Sequence, residues 1–217
     1  MWFIALEFAL AVVTFVALRF ITAPYGRFRR PGWGPAVPAR LGWVLMEGPS
    51  AVLFAIVFGL GPHRAQVVPL AFLALWELHY AYRAFVYPFL LRGRDMPLLV
   101  VGLGLLFNVL NAPINAYWVS TVGRYPASWL ADPRFLAGVA LFLTGFVVNV
   151  TADRTLRRLR RPGETGYKVP TGGLYRFVSS PNYLGEEKTA AISAEIRSAL
   201  AGIREEVVET YALVAWR

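Results

Sequence analysis

Glu47, His79, Tyr80 and Arg83 are polar or ionisable residues set inside long apolar runs of the chain. A carboxylate or guanidinium at bilayer depth is costly unless it faces a protein cavity and finds a partner, so such residues mark a pocket by default. Glu47 lies in Leu45-Met46-Glu47-Gly48-Pro49-Ser50, where Pro49 must kink a helix. Two readings of it stand. In one, Glu47 is a structural carboxylate neutralised by an arginine. In the other it is an acid: burial disfavours the charged form, so a desolvated glutamic acid stays protonated and can donate to a carbonyl oxygen.

Three further clusters follow. In His79-Tyr80-Ala81-Tyr82-Arg83-Ala84-Phe85-Val86-Tyr87, positions 80, 83, 84 and 87 recur at helical spacing and predict one polar face carrying Tyr80, Arg83 and Tyr87. Tyr82 reads equally well as an interfacial anchor. The next cluster runs from Asn149 through Asp153 into Arg154-Thr155-Leu156-Arg157-Arg158-Leu159-Arg160-Arg161-Pro162-Gly163-Glu164. It reads either as a basic segment against anionic lipid or as a nucleotide site, with arginines on phosphates and the aspartate accepting from a ribose or adenine group. The last cluster, Gly172-Gly173-Leu174-Tyr175 and Ser180-Pro181-Asn182-Tyr183-Leu184-Gly185-Glu186, predicts a turn entering a helix on which Asn182 and Glu186 share a face. The chain has no Walker A motif and no dinucleotide fingerprint, so a nucleotide would be held in another way.

The elements that must position these residues are five apolar runs at residues 2–18, 43–60, 67–91, 97–119 and 135–150. A helix needs about 20 such residues to span a bilayer. With 57% hydrophobic and 16% charged residues, the composition is that of a membrane protein. The fold class predicted is all-α, a polytopic membrane helical bundle of about five spans. The third run is long enough to tilt, or to kink near Pro88, and Asn108, Asn111 and Asn115 in the fourth need partners. The first run has neither a basic n-region nor a cleavage site and is predicted to be retained. With no cysteine, disulfides, thiolate metal sites and cysteine nucleophiles are excluded, and no metal site is predicted.

The basic residues follow a pattern. Thirteen (Arg19, Arg27, Arg29, Arg30, Arg40, Arg92, Arg94, Arg154, Arg157, Arg158, Arg160, Arg161 and Lys168) follow odd-numbered runs, and only Arg64, Arg124 and Arg134 follow even-numbered ones. The bias predicts an outside amino terminus and a cytoplasmic face on which the motifs cluster. It also accounts for the net charge of +9 without nucleic acid.

Together the clusters resemble the steroid 5-alpha-reductase family (3-oxo-5-alpha-steroid 4-dehydrogenases) over about residues 40 to 186. The resemblance rests on Glu47 before Pro49, His79-Tyr80 with Arg83 and Phe85-Val86-Tyr87, Arg92-Gly93-Arg94, Asn149 to Asp153 with the basic run to Glu164, Gly172-Gly173-Leu174, and Asn182-Tyr183-Leu184-Gly185-Glu186. It implies NADPH-dependent reduction of the delta-4 double bond of 3-oxo steroids, a class that includes testosterone and progesterone. Hydride would go to the enone beta carbon while Glu47 and Tyr80 hydrogen-bond the ketone. By the same resemblance Arg83, Tyr87, Arg94, Asn149, Asp153, Arg160, Asn182 and Glu186 would line the NADPH site. The membrane implied is a bacterial cytoplasmic one on the Ala- and Arg-rich composition, with the endoplasmic reticulum as the other placement.

Residues 187–217 depart from this pattern, so the expected organisation is a membrane reductase-like domain, 1–186, and a tail. Ile192, Ile196, Ala199, Ile203, Val207, Tyr211 and Val214 recur at steps of three or four among charged residues, predicting a polar amphipathic helix able to cover the cytoplasmic face or to pair with another copy. The family's carboxyl-terminal segment, which contributes to the cofactor site, is expected to be absent, leaving that site short of a wall. Two alternatives remain open: a catalytically silent sterol-binding membrane protein, and a membrane methyltransferase of the isoprenylcysteine type, against which Glu47 with Tyr80 argues.

Overall fold

The computed structural model describes residues 2–21, 32–91, 95–159, 170, 172–178 and 181. Two compact units make it up, Met1–Trp129 and Leu130–Arg217. In the first, helix α1 (Trp2–Phe20) precedes a two-residue strand β1 (Ala36–Val37), α2 (Ala39–Leu60) and α3 (Val67–Ala81). A π-helical segment, Tyr82–Val86, and the short α4 (Tyr87–Leu90) continue α3; β2 (Met96–Pro97), α5 (Leu98–Tyr117) and a second π segment, Trp118–Val122, complete the unit, and a 3₁₀ turn, Ala127–Ala131, runs across its end. The second unit is built on α6 (Pro133–Arg158), followed by a 3₁₀ turn at Gly173–Arg176.

Each of the five apolar runs falls on one of these helical stretches. Among the described residues three are long and apolar enough to cross a membrane: Ala39–Leu60, Leu98–Val122 and Pro133–Arg158. Their faces are reversed relative to a water-soluble helix. On α2 the exposed large apolar side chains are Leu41, Leu45, Val52, Ile56 and Leu60, while Glu47 and Ser50 are buried. On α5, Leu99, Leu103 and Leu106 face outward and Asn108, Asn111 and Asn115 inward. Burying amides and a carboxylate while exposing leucines is favourable only where the surroundings are hydrocarbon, so the chain is an integral membrane protein.

Strand β1 pairs antiparallel with β2, Ala36 opposite Pro97 and Val37 opposite Met96, and the Leu98 amide donates to the Pro35 carbonyl at 2.8 Å. The clasp sets the first turns of α2 and α5 side by side. From there the contacts advance in step. A Cβ on Gly42 would meet Val101 at 3.1 Å, one on Gly104 would collide with Met46, and one on Gly61 would collide with Ser120. Asn108 meets Met46 and Glu47, and the His63 amide donates to the Ser120 carbonyl at 2.9 Å. α2 and α5 therefore run parallel and in close contact through small residues, as membrane helices do, with the run between them crossing back.

Within that run the departure from α-helix comes earlier than Pro88. Pro88 offers no N–H to the Ala84 carbonyl, and the chain answers one turn upstream: the Tyr87 amide donates to the Tyr82 carbonyl, five residues back. Pro88 then sits in the first turn of α4, where a missing donor is tolerated. Such one-turn π segments interrupt α-helices frequently at functional sites. This one carries Arg83.

In the second unit α6 starts at Pro133, with Asp132 as its N-cap: Oδ1 accepts from the Arg134 amide at 2.9 Å and from its Nε at 3.0 Å. These bonds hold the Asp132 carboxyl down at about 2. Phe135, Gly138, Phe142, Gly145, Asn149, Ala152 and Asp153 recur every three or four residues as one buried face.

Candidate functional site

Pro49 cannot donate to the Leu45 carbonyl, and its ring loosens that turn of α2. Glu47 sits in the loosened turn and is buried, at 6% exposure. The next carbonyl, of Met46, accepts from Asn108 Nδ2 of α5 at 2.7 Å, and the same nitrogen lies 3.5 Å from Glu47 Oε2. Arg83 Nη2 approaches the other oxygen, Oε1, at 3.5 Å. Arg83 is as deeply buried as Glu47, at 4% exposure, so the pair is an internal one. Removing one partner of such a pair strands a charge and typically costs about 3–5 kcal/mol.

The guanidinium of Arg83 also stacks on rings, 4.5 Å from the centroid of Trp43 and 5.2 Å from that of Tyr87, which meet each other edge to face at 5.3 Å. Trp43 lies one turn before Glu47 on α2, so both point to the same neighbour. Tyr80 belongs to an adjoining stack: its ring lies 4.8 Å from Trp76, which stacks on Phe54 at 4.4 Å and donates from Nε1 to the Ser50 carbonyl at 3.1 Å. His79 packs edge-on against Tyr80 at 4.9 Å. Trp43 and Tyr87 are the aromatic walls of this buried acid–guanidinium pair.

In the second unit Asn149 and Asp153 are buried on the same face of α6, one turn apart, at 4% and 5% exposure. The Tyr175 hydroxyl donates to the carbonyl of Ala152 at 3.3 Å, so the Gly172-Gly173-Leu174-Tyr175 turn is fastened beside Asp153. Two motifs about twenty residues apart in sequence thus meet at the basic end of α6, which carries Arg154, Arg157 and Arg158.

The family pattern described as 3-oxo-5-alpha-steroid 4-dehydrogenase matches residues 94–196. The chain is similar to 3-oxo-5-alpha-steroid 4-dehydrogenase 1 of Bos taurus, 42% identical over 186 residues, covering 83% of this chain and 72% of that protein. The Homo sapiens protein of the same name is 38% identical, with 83% and 71% covered. This chain belongs to the 3-oxo-5-alpha-steroid 4-dehydrogenase family. The steroid 5-alpha-reductase DET2 of Arabidopsis thaliana is also similar, 37% identical over 182 residues, with 80% of this chain and 69% of that protein covered.

Of the residues assigned by resemblance to this family, the structure brings Glu47, Arg83 and Tyr87 together through the guanidinium, with Tyr80 in the adjoining aromatic stack. Asn149 and Asp153 share the face of α6 described above. Arg94, Arg160, Asn182 and Glu186 lie outside the described residues, as does the tail, residues 187–217. Trp43, Trp76 and Asn108 are the members of the cluster that sequence reasoning did not assign. Spacing carried a signal for the first two, since each lies four residues before Glu47 or Tyr80. Asn108 showed only that it needed a partner.

Proposed function

We propose that this chain is an NADPH-dependent reductase of the delta-4 double bond of 3-oxo steroids, or of closely similar sterol-like enones, in the membrane. The observation that carries the reading is the buried Glu47–Arg83 pair between aromatic rings, in a chain of this family. Reduction of an enone places negative charge on its ketone oxygen. A donor aimed at that oxygen in a site without bulk water is worth about 3 kcal/mol of barrier. Protonated Glu47 and the Tyr80 hydroxyl are the donors in this proposal, and Arg83 supplies fixed positive charge beside them. Trp43, Trp76 and Tyr87 supply the apolar walls.

NADPH would supply the hydride delivered to the enone beta carbon. The chemistry of the residues present fits such a group. Asp153 can accept from ribose hydroxyls, Asn149 can donate and accept, and the arginines that end α6 suit phosphates. By the family resemblance Arg83, Tyr87, Arg94, Arg160, Asn182 and Glu186 belong to this proposed set. In the membrane we place the amino terminus outside and the cofactor face in the cytoplasm. The parallel run of α2 and α5 supports this, because it puts their starts, at Arg40 and just after Arg92-Gly93-Arg94, on one side, and Arg64 with Arg124 on the other.

The test is product formation by mass spectrometry, with purified protein in detergent, NADPH and a 3-oxo-delta-4 steroid. A product two mass units heavier is expected. No product, with a family relative active in parallel, would overturn the reading and leave a sterol-binding protein without this chemistry.

A further inference from the structure

Asn108 stands on α5, away from the helical stretches that carry Glu47, Tyr80 and Arg83, yet it touches Glu47 twice: once through its backbone neighbour and once through its carboxyl. Its Nδ2 carries two hydrogens. One goes to the Met46 carbonyl at 2.7 Å and the other faces Glu47 Oε2 at 3.5 Å. The Met46 carbonyl can only accept, so it decides which way round the amide sits; the reversed amide would set Oδ1 against it. Oδ1 itself is buried and has no hydrogen-bond partner among the described residues, so nothing at that end opposes the choice. The nitrogen therefore faces Oε2. That oxygen accepts.

We propose that Asn108 is a positioning residue for Glu47: from α5 it fixes the plane of the carboxyl that meets the substrate ketone. The inference rests on the reductase reading above. The anchor is the same loosened turn that Pro49 creates, because the bond to Met46 holds the backbone one residue before Glu47. An otherwise pliant kink becomes a fixed mount for the acid.

A double-mutant cycle on the full chain in detergent tests this, with NADPH and a 3-oxo-delta-4 steroid as substrates. Asn108→Leu keeps the branched shape and deletes the donor. It should lower kcat about tenfold, the size of one hydrogen bond, and leave the KM for NADPH unchanged. In a Glu47→Ala background the same substitution should change kcat less than about twofold, since the group it positions is gone. Asn108→Asp, which turns an acceptor toward both Met46 and Glu47, should lose more than Asn108→Leu in the native background. Equal losses in the two backgrounds would mean that Asn108 only packs α5 on α2, and would overturn the proposal. Should Asn108→Leu fail to fold, Asn108→Asp and Asn108→Ser run the same cycle. An unsubstituted chain that makes no product removes the reductase reading and this inference with it, whereas product formation with an additive cycle removes the inference alone.

Discussion

Gly104→Ala should disable the site without touching a polar group. Gly104 faces Met46, and a Cβ there would overlap the Met46 Cγ and Sδ. The overlap falls short of the carbon–carbon optimum of about 3.5–4.0 Å by more than about 1 Å. The carbonyl of Met46 is held by Asn108, but the overlap is with its side chain, so the added methyl must drive the Met46 thioether into another rotamer or push α2 from α5. Overpacking of this kind costs about 1–3 kcal/mol, or roughly 2–10 °C in thermal midpoint for a chain of this size. A displacement of about 1 Å at an acid can also cost about a hundredfold in turnover. Gly102→Ala is the control. A Cβ there meets nothing within 4 Å, and the change should leave activity intact while adding up to about 1 kcal/mol of helix propensity. Tryptophan-fluorescence melting in detergent and steroid reduction read the two effects. If Gly104→Ala melts and turns over like Gly102→Ala, the close approach of α2 and α5 does not position Glu47.

Removing the acid should be worse than weakening it. Glu47→Ala should lower kcat about a hundredfold, the ~3 kcal/mol of one transition-state donor, and Glu47→Gln clearly less; equal, mild effects in steady-state assays would remove Glu47 from the reaction. On the cofactor side, Asp153→Ala and Asn182→Ala should each weaken NADPH binding about tenfold or more, as the loss of a charged or buried hydrogen bond does, and fluorescence titration showing unchanged affinity in both would cancel that assignment.

Much of the bundle was legible because hydrocarbon imposes a coarse rule: apolar runs about 20 residues long become helices whatever their order. The prediction for Val67 to Leu91 shows the limit of that rule. Proline identifies a place where an amide is missing, but the chain can absorb the defect upstream, and here it does so at Tyr82–Val86. Glu47 was visible as a charge that needed a partner, and both an arginine partner and a donor role were open. The structure supplies the arginine, and it is Arg83, which resemblance had placed with the cofactor.

The sequence by itself determined the class of environment, the helical stretches, the family, and the residues whose burial would have to be compensated. Those are local properties, set by hydropathy, proline and charge along the chain. Tertiary structure alone decided the pairings: that Asn108, not Asn111 or Asn115, reaches Glu47, that Trp43 and Tyr87 both lie against the guanidinium, and that Tyr175 fastens to the carbonyl before Asp153. Such pairings depend on how far two helices slide and turn against each other. In α2 and α5 that is set by the clearance at Gly42, Gly61 and Gly104, where one missing methyl group fixes a distance that no local pattern encodes.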